Sequence, residues 1–280
     1  NGLLNQSKSC NYTFYMHMLD KIILIHPTKC AGTTISEKLF KLKGLSDKRS
    51  AFYSGYSFNR FFQKNIQLFY FIIHSRALII YPFYLLFYII CIYYNIRNFF
   101  YKYKLGLTFK DGSIQHFTYK QWKQINQITK DSVCISVVTH PQHRMVSSYY
   151  FLGYDKHYTF LEFLQKIQDG DLLSSIRFSG FRAIIEQHLI PMCDYIKYDN
   201  GNNKIDFIFK RESLDRDWEK FCGLYKLDYT PLKHINKTKS ITNWKDLYIA
   251  DPKTGQIVYK IYKKDFDKFG YELIAPNAVI

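Results

Sequence analysis

No aspartate or glutamate occurs between residues 48 and 110, a stretch that holds nine lysines and arginines. That gap alone supplies nine of the sixteen net positive charges on the 280-residue chain. A basic balance suits an anionic partner such as an acidic glycan, a membrane surface or nucleic acid. Nucleic acid fits worst, because the excess sits among apolar residues without a groove-entering module. The six cysteines (10, 30, 91, 134, 193 and 222) show no C-x-x-C spacing, and no His-x-x-x-His pair stands on a helix beside a glutamate. The common metal-site patterns are therefore missing, and no metal is expected. No serine sits in a nucleophile elbow, which removes the usual hydrolase reading. A signal peptide is absent too, and the chain opens at Asn1 rather than methionine, so an N-terminal piece is expected to be missing.

What is present starts at Lys21-Ile-Ile-Leu-Ile-His-Pro-Thr-Lys-Cys-Ala-Gly-Thr-Thr-Ile35. Residues 22–25 form a short apolar run, the pattern of a strand buried on both faces. Pro27 stops regular pairing, and Gly32 allows close backbone approach. Thr33 or Thr34 can cap a helix over residues 35–43. A strand, a tight loop and a helix N-terminus aim several N–H groups and a helix dipole at one point, where Lys29 adds a full charge. Such a site holds a phosphate or sulfate. The nucleotide-triphosphatase order G-x-x-x-x-G-K-(S/T) does not fit, since Lys29 precedes Gly32 and Pro27 stands where the first glycine belongs.

The loop resembles the 5′-phosphosulfate loop of the sulfotransferases, above all the Golgi carbohydrate sulfotransferases, with His26-Pro27-Thr28-Lys29 in place of the usual Pro-Lys pair. A second block follows a buried strand over residues 132–139: His140-Pro141-Gln-His-Arg144-Met-Val-Ser147-Ser-Tyr149. Pro141 suits the first turn of a helix, and Arg144, Ser147 and Ser148 share a face. This block resembles the family's 3′-phosphate motif, V-R-(D/N)-P-x-x-R-x-(V/I)-S-x-Y. Thr139 stands where the first arginine belongs, and His140 replaces the Asp or Asn. An arginine there would offer bidentate phosphate binding, which threonine cannot.

Three further segments resemble the family's tail. Phe207-Ile-Phe-Lys-Arg-Glu-Ser-Leu-Asp-Arg-Asp-Trp218 reads as a strand entering a helix with Ser213 as N-cap, and residues 234–240 resemble a basic closing loop. Residues 259–271 resemble its terminal helix, an amphipathic element with a glycine stop. The likeness is to the sulfotransferase 2 family, heparan sulfate 2-O-sulfotransferase included. It implies an α/β fold with a P-loop-like, mostly parallel sheet and helices on both faces, in one domain over residues 1–280. It also implies sulfate transfer from 3′-phosphoadenosine 5′-phosphosulfate (PAPS) to a carbohydrate hydroxyl, without a metal.

In that reading Lys29 stabilises the bridging oxygen, and Lys29, Cys30, Ala31, Gly32, Thr33 and Thr34 hold the phosphosulfate. Thr139, Arg144 and Ser147 fall at the 3′-phosphate. His116, ahead of a helix expected over residues 119–128, occupies a place like that of the family's catalytic histidine and is the candidate base. His188 is a weaker candidate, structural or acceptor-facing, and His26 is read as positioned by the loop. The acceptor implied is an anionic glycan. The location implied is the lumenal side of the Golgi membrane, with a type II signal anchor in the missing piece; three N-x-(S/T) sequons at Asn5, Asn11 and Asn236 are compatible with it. The runners-up are a sulfotransferase acting on tyrosine or a small molecule, and an inactive binding protein that keeps the fold.

A basic, apolar and aromatic-rich insertion at about residues 50–106 interrupts these blocks. Within it, residues 77–94 are eighteen uncharged, mostly apolar residues. As a helix they would span about 27 Å, near a bilayer core. A spanning helix here would put the two cofactor motifs on opposite sides of a membrane. Three alternatives stay open: a membrane-surface or re-entrant hairpin, an added buried helix pair, and a translated intron over residues 58–104, whose composition is that of A/T-rich coding.

Overall fold

Four consecutive apolar residues, Ile-Ile-Leu-Ile, form the first strand, β1 (Ile22–Ile25), in a computed structural model that describes residues 19–42, 116–176, 179–197, 205–233 and 243–274. The insertion at 50–106, the closing loop at 234–240, all three sequons, Cys10 and Cys91 lie outside the described residues. The central strand β2 (Val133–Val138) pairs in parallel with β1 on one side and with β3 (Phe207–Lys210) on the other. Ile25 lies opposite Ser136, and Val138 opposite Lys210. β2 is buried from Cys134 onward, whereas β1 buries Ile22 and Ile25 and half-exposes Ile23 and Leu24. Burial on both faces, as the apolar run suggests, is met fully only by the middle strand. The architecture is α/β, a three-stranded parallel sheet with helices around it.

The chain divides into two compact units, the first drawn from residues 1–54, 117–139 and 192–240 and the second from 55–116, 140–191 and 241–280. The first unit holds the sheet with α1 (Gly32–Leu42), α2 (Tyr119–Gln124), α7 (Met192–Ile196) and α8 (Leu214–Tyr225). Its core includes an aromatic chain in which Phe209 lies between Phe207, 4.7 Å away, and Phe221, 5.2 Å away, with Trp218 at 6.3 Å. Burying such rings is the largest apolar contribution available to a small sheet. α2 opens with a capping box in which the Gln121 N–H donates to Thr118 Oγ1 and the Thr118 N–H to Gln121 Oε1. It ends at Gln124, short of the 119–128 expected, because Asn126 takes a left-handed turn at φ 56°.

The second unit is helical: α3 (Pro141–Phe151), α4 (Phe160–Gln168), α5 (Asp171–Ser174), α6 (Ser179–Leu189), α9 (Asp246–Ala250) and α10 (Pro252–Phe269). Met145, Val146 and Tyr149 of α3 pack with Phe163 and Leu164 of α4 and with Val258, Tyr262 and Phe266 of α10 in one buried cluster. α10 is longer than residues 259–271 imply. Asp251 caps it, accepting from the Lys253 N–H at 3.0 Å, and a kink at Tyr262 (φ −114°) breaks its periodicity. It stops where the glycine predicted it would, with Gly270 at φ 64°.

Ser213 does not cap α8 through its side chain. Its hydroxyl donates instead to Asp217 Oδ2 at 2.8 Å, beside the Lys210 N–H at 2.8 Å, so one buried carboxylate ties down the end of β3. Asp217→Ala removes the acceptor of both donors and should lower stability by about 1–3 kcal/mol, read as a fall in the urea midpoint at constant slope. Asp217→Asn, which keeps an acceptor oxygen, should lose less.

Candidate anion site and active site

In the first unit three parallel strands end together, so the chain leaves β1, β2 and β3 along one edge of the sheet, where open α/β sheets bind ligands. Ser136 fixes the exit of β1, its hydroxyl donating to the Ile25 carbonyl at 2.9 Å. Beyond Ile25 the backbone enters a strained loop: Lys29 and Ala31 both have φ 63°, and Cys30 between them does not have positive φ. Left-handed backbone at residues other than glycine costs about 1–3 kcal/mol each and clusters at functional sites. Alternation of this kind turns successive N–H groups to one side and makes an anion-binding concavity.

Helix α1 then begins at Gly32, three residues ahead of the expected start, and the Thr34 N–H donates to the Ala31 carbonyl at 3.0 Å. Thr33 and Thr34 are therefore in the first turn rather than at the cap. The strain is held from behind. The Cys30 thiol is fully buried, donates to the Thr28 carbonyl at 3.3 Å and lies 3.4 Å from Met192 Sδ on α7. Cys30 can thus serve an anion through its backbone, its side chain being turned inward. Among the described residues Cys30, Cys134, Cys193 and Cys222 form no disulfide. Gly32 packs directly under the His26 imidazole, and a β-carbon there would fall inside the ring's van der Waals surface.

Lys29 is half-buried on this loop, and its ammonium is pulled down to about 8 from 10.5. Burial is the main cause; the Arg211 guanidinium adds to it, and Cys30 opposes. Arg211 follows β3 directly, so the parallel register brings this second cation to the edge that carries Lys29. The sequence reading missed Arg211, although its place just after a strand of the parallel set is a usable signal. Thr139, at the end of β2, is fully buried and donates to Glu212 Oε1 at 2.8 Å. A carboxylate therefore stands at the position where the 3′-phosphate motif has an arginine. The loop fits a phosphosulfate, being two cations and a turn of N–H groups; Thr139 with Glu212 adds no positive charge.

In the second unit His140 is the N-cap of α3. Its Nδ1 accepts from the Gln142 N–H at 3.3 Å, which leaves Nε2 to donate to the Glu272 carbonyl at 2.9 Å. Asp and Asn, the residues of the motif at this place, are cap residues too, so His140 keeps the task with a ring nitrogen. Gln142 clasps the chain after α10 from both sides, donating to the Ile274 carbonyl at 2.9 Å and accepting from its N–H at 2.8 Å. Arg144 is fully buried with its guanidinium 5.5 Å from the centroid of the Tyr262 ring, and Ser147 is buried one turn on. Tyr149 donates to the Tyr158 carbonyl, and burial above all pushes its hydroxyl up to about 12. His116 is buried in the same unit, where its carbonyl accepts from Gln187 Nε2 at 3.3 Å and its ring meets His188 edge-on at 6.1 Å.

No group of three or more His, Cys, Asp or Glu among the described residues could hold a metal ion, and no helix among them is long and apolar enough to cross a membrane. The family model described as the sulfotransferase family matches residues 12–272, and the chain belongs to that family. No curated protein and no solved structure matches the chain.

Two outcomes follow for the loop. Gly32→Ala must displace His26 from the first turn of α1; it should weaken sulfate binding at least tenfold, a loss of about 1.4 kcal/mol, read by calorimetric titration. Because Lys29 is depressed to about 8, it is charged below that pH and neutral above it. Sulfate affinity should therefore be flat below pH 8 and fall by up to about tenfold per unit above it. Lys29→Arg, charged throughout, should keep whatever affinity it has to higher pH.

Proposed function

Taking the chain as a sulfotransferase, we propose that it moves sulfate from PAPS to a carbohydrate hydroxyl. The observation that carries the donor half is the loop over residues 26–34, with its two left-handed residues, its buried-side cation Lys29 and Arg211 beside it. Lys29, the N–H groups from Cys30 to Gly32 and the hydroxyls of Thr33 and Thr34 would hold the phosphosulfate; Arg144 and Ser147 are the residues assigned to the 3′-phosphate. When bound, PAPS supplies the sulfuryl group and a bisphosphate that leaves with the electron pair of the broken S–O bond. Lys29 offsets the charge that collects on the leaving oxygen, an electrostatic task that dominates group transfers of this kind.

His116 takes the proton of the acceptor hydroxyl at an imidazole nitrogen as that oxygen bonds to sulfur. The acceptor proposed is an anionic glycan, supported by the net charge of +16, and the setting proposed is the lumenal side of the Golgi membrane. One observation favours a second reading, a binding protein that keeps the fold without transfer: Thr139 is engaged by Glu212 where a guanidinium would meet phosphate.

Transfer of radiolabelled sulfate from PAPS to a panel of desulfated glycosaminoglycans, neutral glycans, tyrosine peptides and phenols tests both readings. Label is expected on a glycosaminoglycan. Lys29→Ala should cut the rate by about 10²–10³-fold, and His116→Ala by about 10²–10⁴-fold, with melting temperatures unchanged. Label on peptide or phenol instead would overturn the acceptor class, and a wild-type protein that binds no adenosine 3′,5′-bisphosphate would leave the non-transferring reading.

A further inference from the structure

The last turn of α6 presents two consecutive side chains to one residue. Gln187 donates through Nε2 to the His116 carbonyl at 3.3 Å, and the His188 ring meets the His116 ring edge-on, centroids 6.1 Å apart at 67°. Grip on backbone and ring together sets where a side chain points, which either contact alone would not do.

His188 is itself held at its Nδ1, at one ring face and at its carbonyl. Its Nδ1 lies 2.8 Å from the Ile184 carbonyl, an atom that can only accept, so Nδ1 carries the proton and Nε2 is the acceptor nitrogen of the neutral ring. Phe151, the last residue of α3, stacks on its face at 4.9 Å and 13°. The Ser148 hydroxyl, one turn earlier on α3, donates to the His188 carbonyl at 3.3 Å. His188 and Gln187 are both buried. A residue locked in this way is a fixed surface against which another ring can be set.

We infer that His188, with Gln187, is a positioning residue for His116: it fixes the imidazole that accepts the proton, and takes no proton from the acceptor itself. This rests on the reading of His116 as the base. The chemistry is one of alignment, in which a displacement of the base by about 1 Å costs on the order of 10²-fold in rate. It also sets which replacement works. A phenyl ring at position 188 keeps both the stack on Phe151 and the edge contact with His116, while the Ile184 carbonyl keeps its helical partner.

The test is a double-mutant cycle on the full chain, read as kcat for sulfate transfer with the affinity for adenosine 3′,5′-bisphosphate measured alongside. His188→Ala is expected to lower kcat by about 10–100-fold with bisphosphate affinity unchanged, and His188→Phe to restore most of it. In the His116→Ala background His188→Ala should cost nothing further, because a residue acting through the base has nothing left to position. If the two losses multiply instead, or if His188→Ala turns over like wild type, the inference falls. Should His188→Ala not fold, Gln187→Ala and His188→Phe carry the cycle. Gln187→Ala should lower kcat a few-fold in the wild-type background and not at all beside His116→Ala. A fully active His116→Ala would remove the base assignment and this inference together, an outcome distinct from loss at His116 with multiplying effects at His188.

Discussion

Parallel pairing of β1, β2 and β3 is the constraint from which the candidate anion site follows. Strands that run one way finish on one edge, and with Ile25 opposite Ser136 and Val138 opposite Lys210 the three exits come out together. The loop with Lys29, the buried Thr139 and the Arg211-Glu212 pair are delivered there by register, not by neighbourhood in the sequence. Small polar contacts hold the exits in place: Ser136 on the last carbonyl of β1, and Asp217 on the last N–H of β3. The lowered basicity of Lys29 is a consequence of the same geometry, since Arg211 reaches it only because β3 pairs where it does.

The loop carries two unfavourable features that one ligand class would relieve. Left-handed backbone at Lys29 and Ala31 is strained, and two cations near one half-buried point repel each other. An anion bound to the N–H groups of the turn would be stabilised by the same arrangement that the free protein finds costly. Support for the strained form comes from behind the loop, from Cys30 against Met192 and from His26 against Gly32. This explains a glycine whose need is room rather than positive φ.

Departures from the family pattern have separate physical outcomes at two adjacent positions. At residue 140 the replacement preserves the task, because an imidazole nitrogen accepts the Gln142 N–H as a carboxylate or amide oxygen would. At residue 139 it does not, because a hydroxyl bonded to Glu212 brings no charge to a phosphate. The fold therefore survives both changes, while the positive charge that the family motif carries at its first position is lost.

Much of this was readable in the chain itself. The run Ile22–Ile25, the buried strand before Pro141, the start of α3 at that proline and the stop of α10 at Gly270 all follow from local patterns, since burial periodicity and φ restriction act within a few residues. Element boundaries set by left-handed residues other than glycine, or by a contact with another helix, were not readable. The early start of α1 depends on the turn at Ala31, the early end of α2 on Asn126, and the kink in α10 on Tyr262, which donates to the Leu189 carbonyl of another helix.

Residue types and spacing by themselves determined that a turn of the kind suited to an anion lies between a strand and a helix, and that a proline-led helix with Arg144 and Ser147 follows a second strand. Tertiary structure alone decided that Arg211 stands by Lys29, that Glu212 holds Thr139, and that Gln187 and His188 grip His116. The physical reason is separation along the chain. Each of those pairs joins residues from distant segments, and only strand register or helix packing, not any local preference, brings such segments to one place.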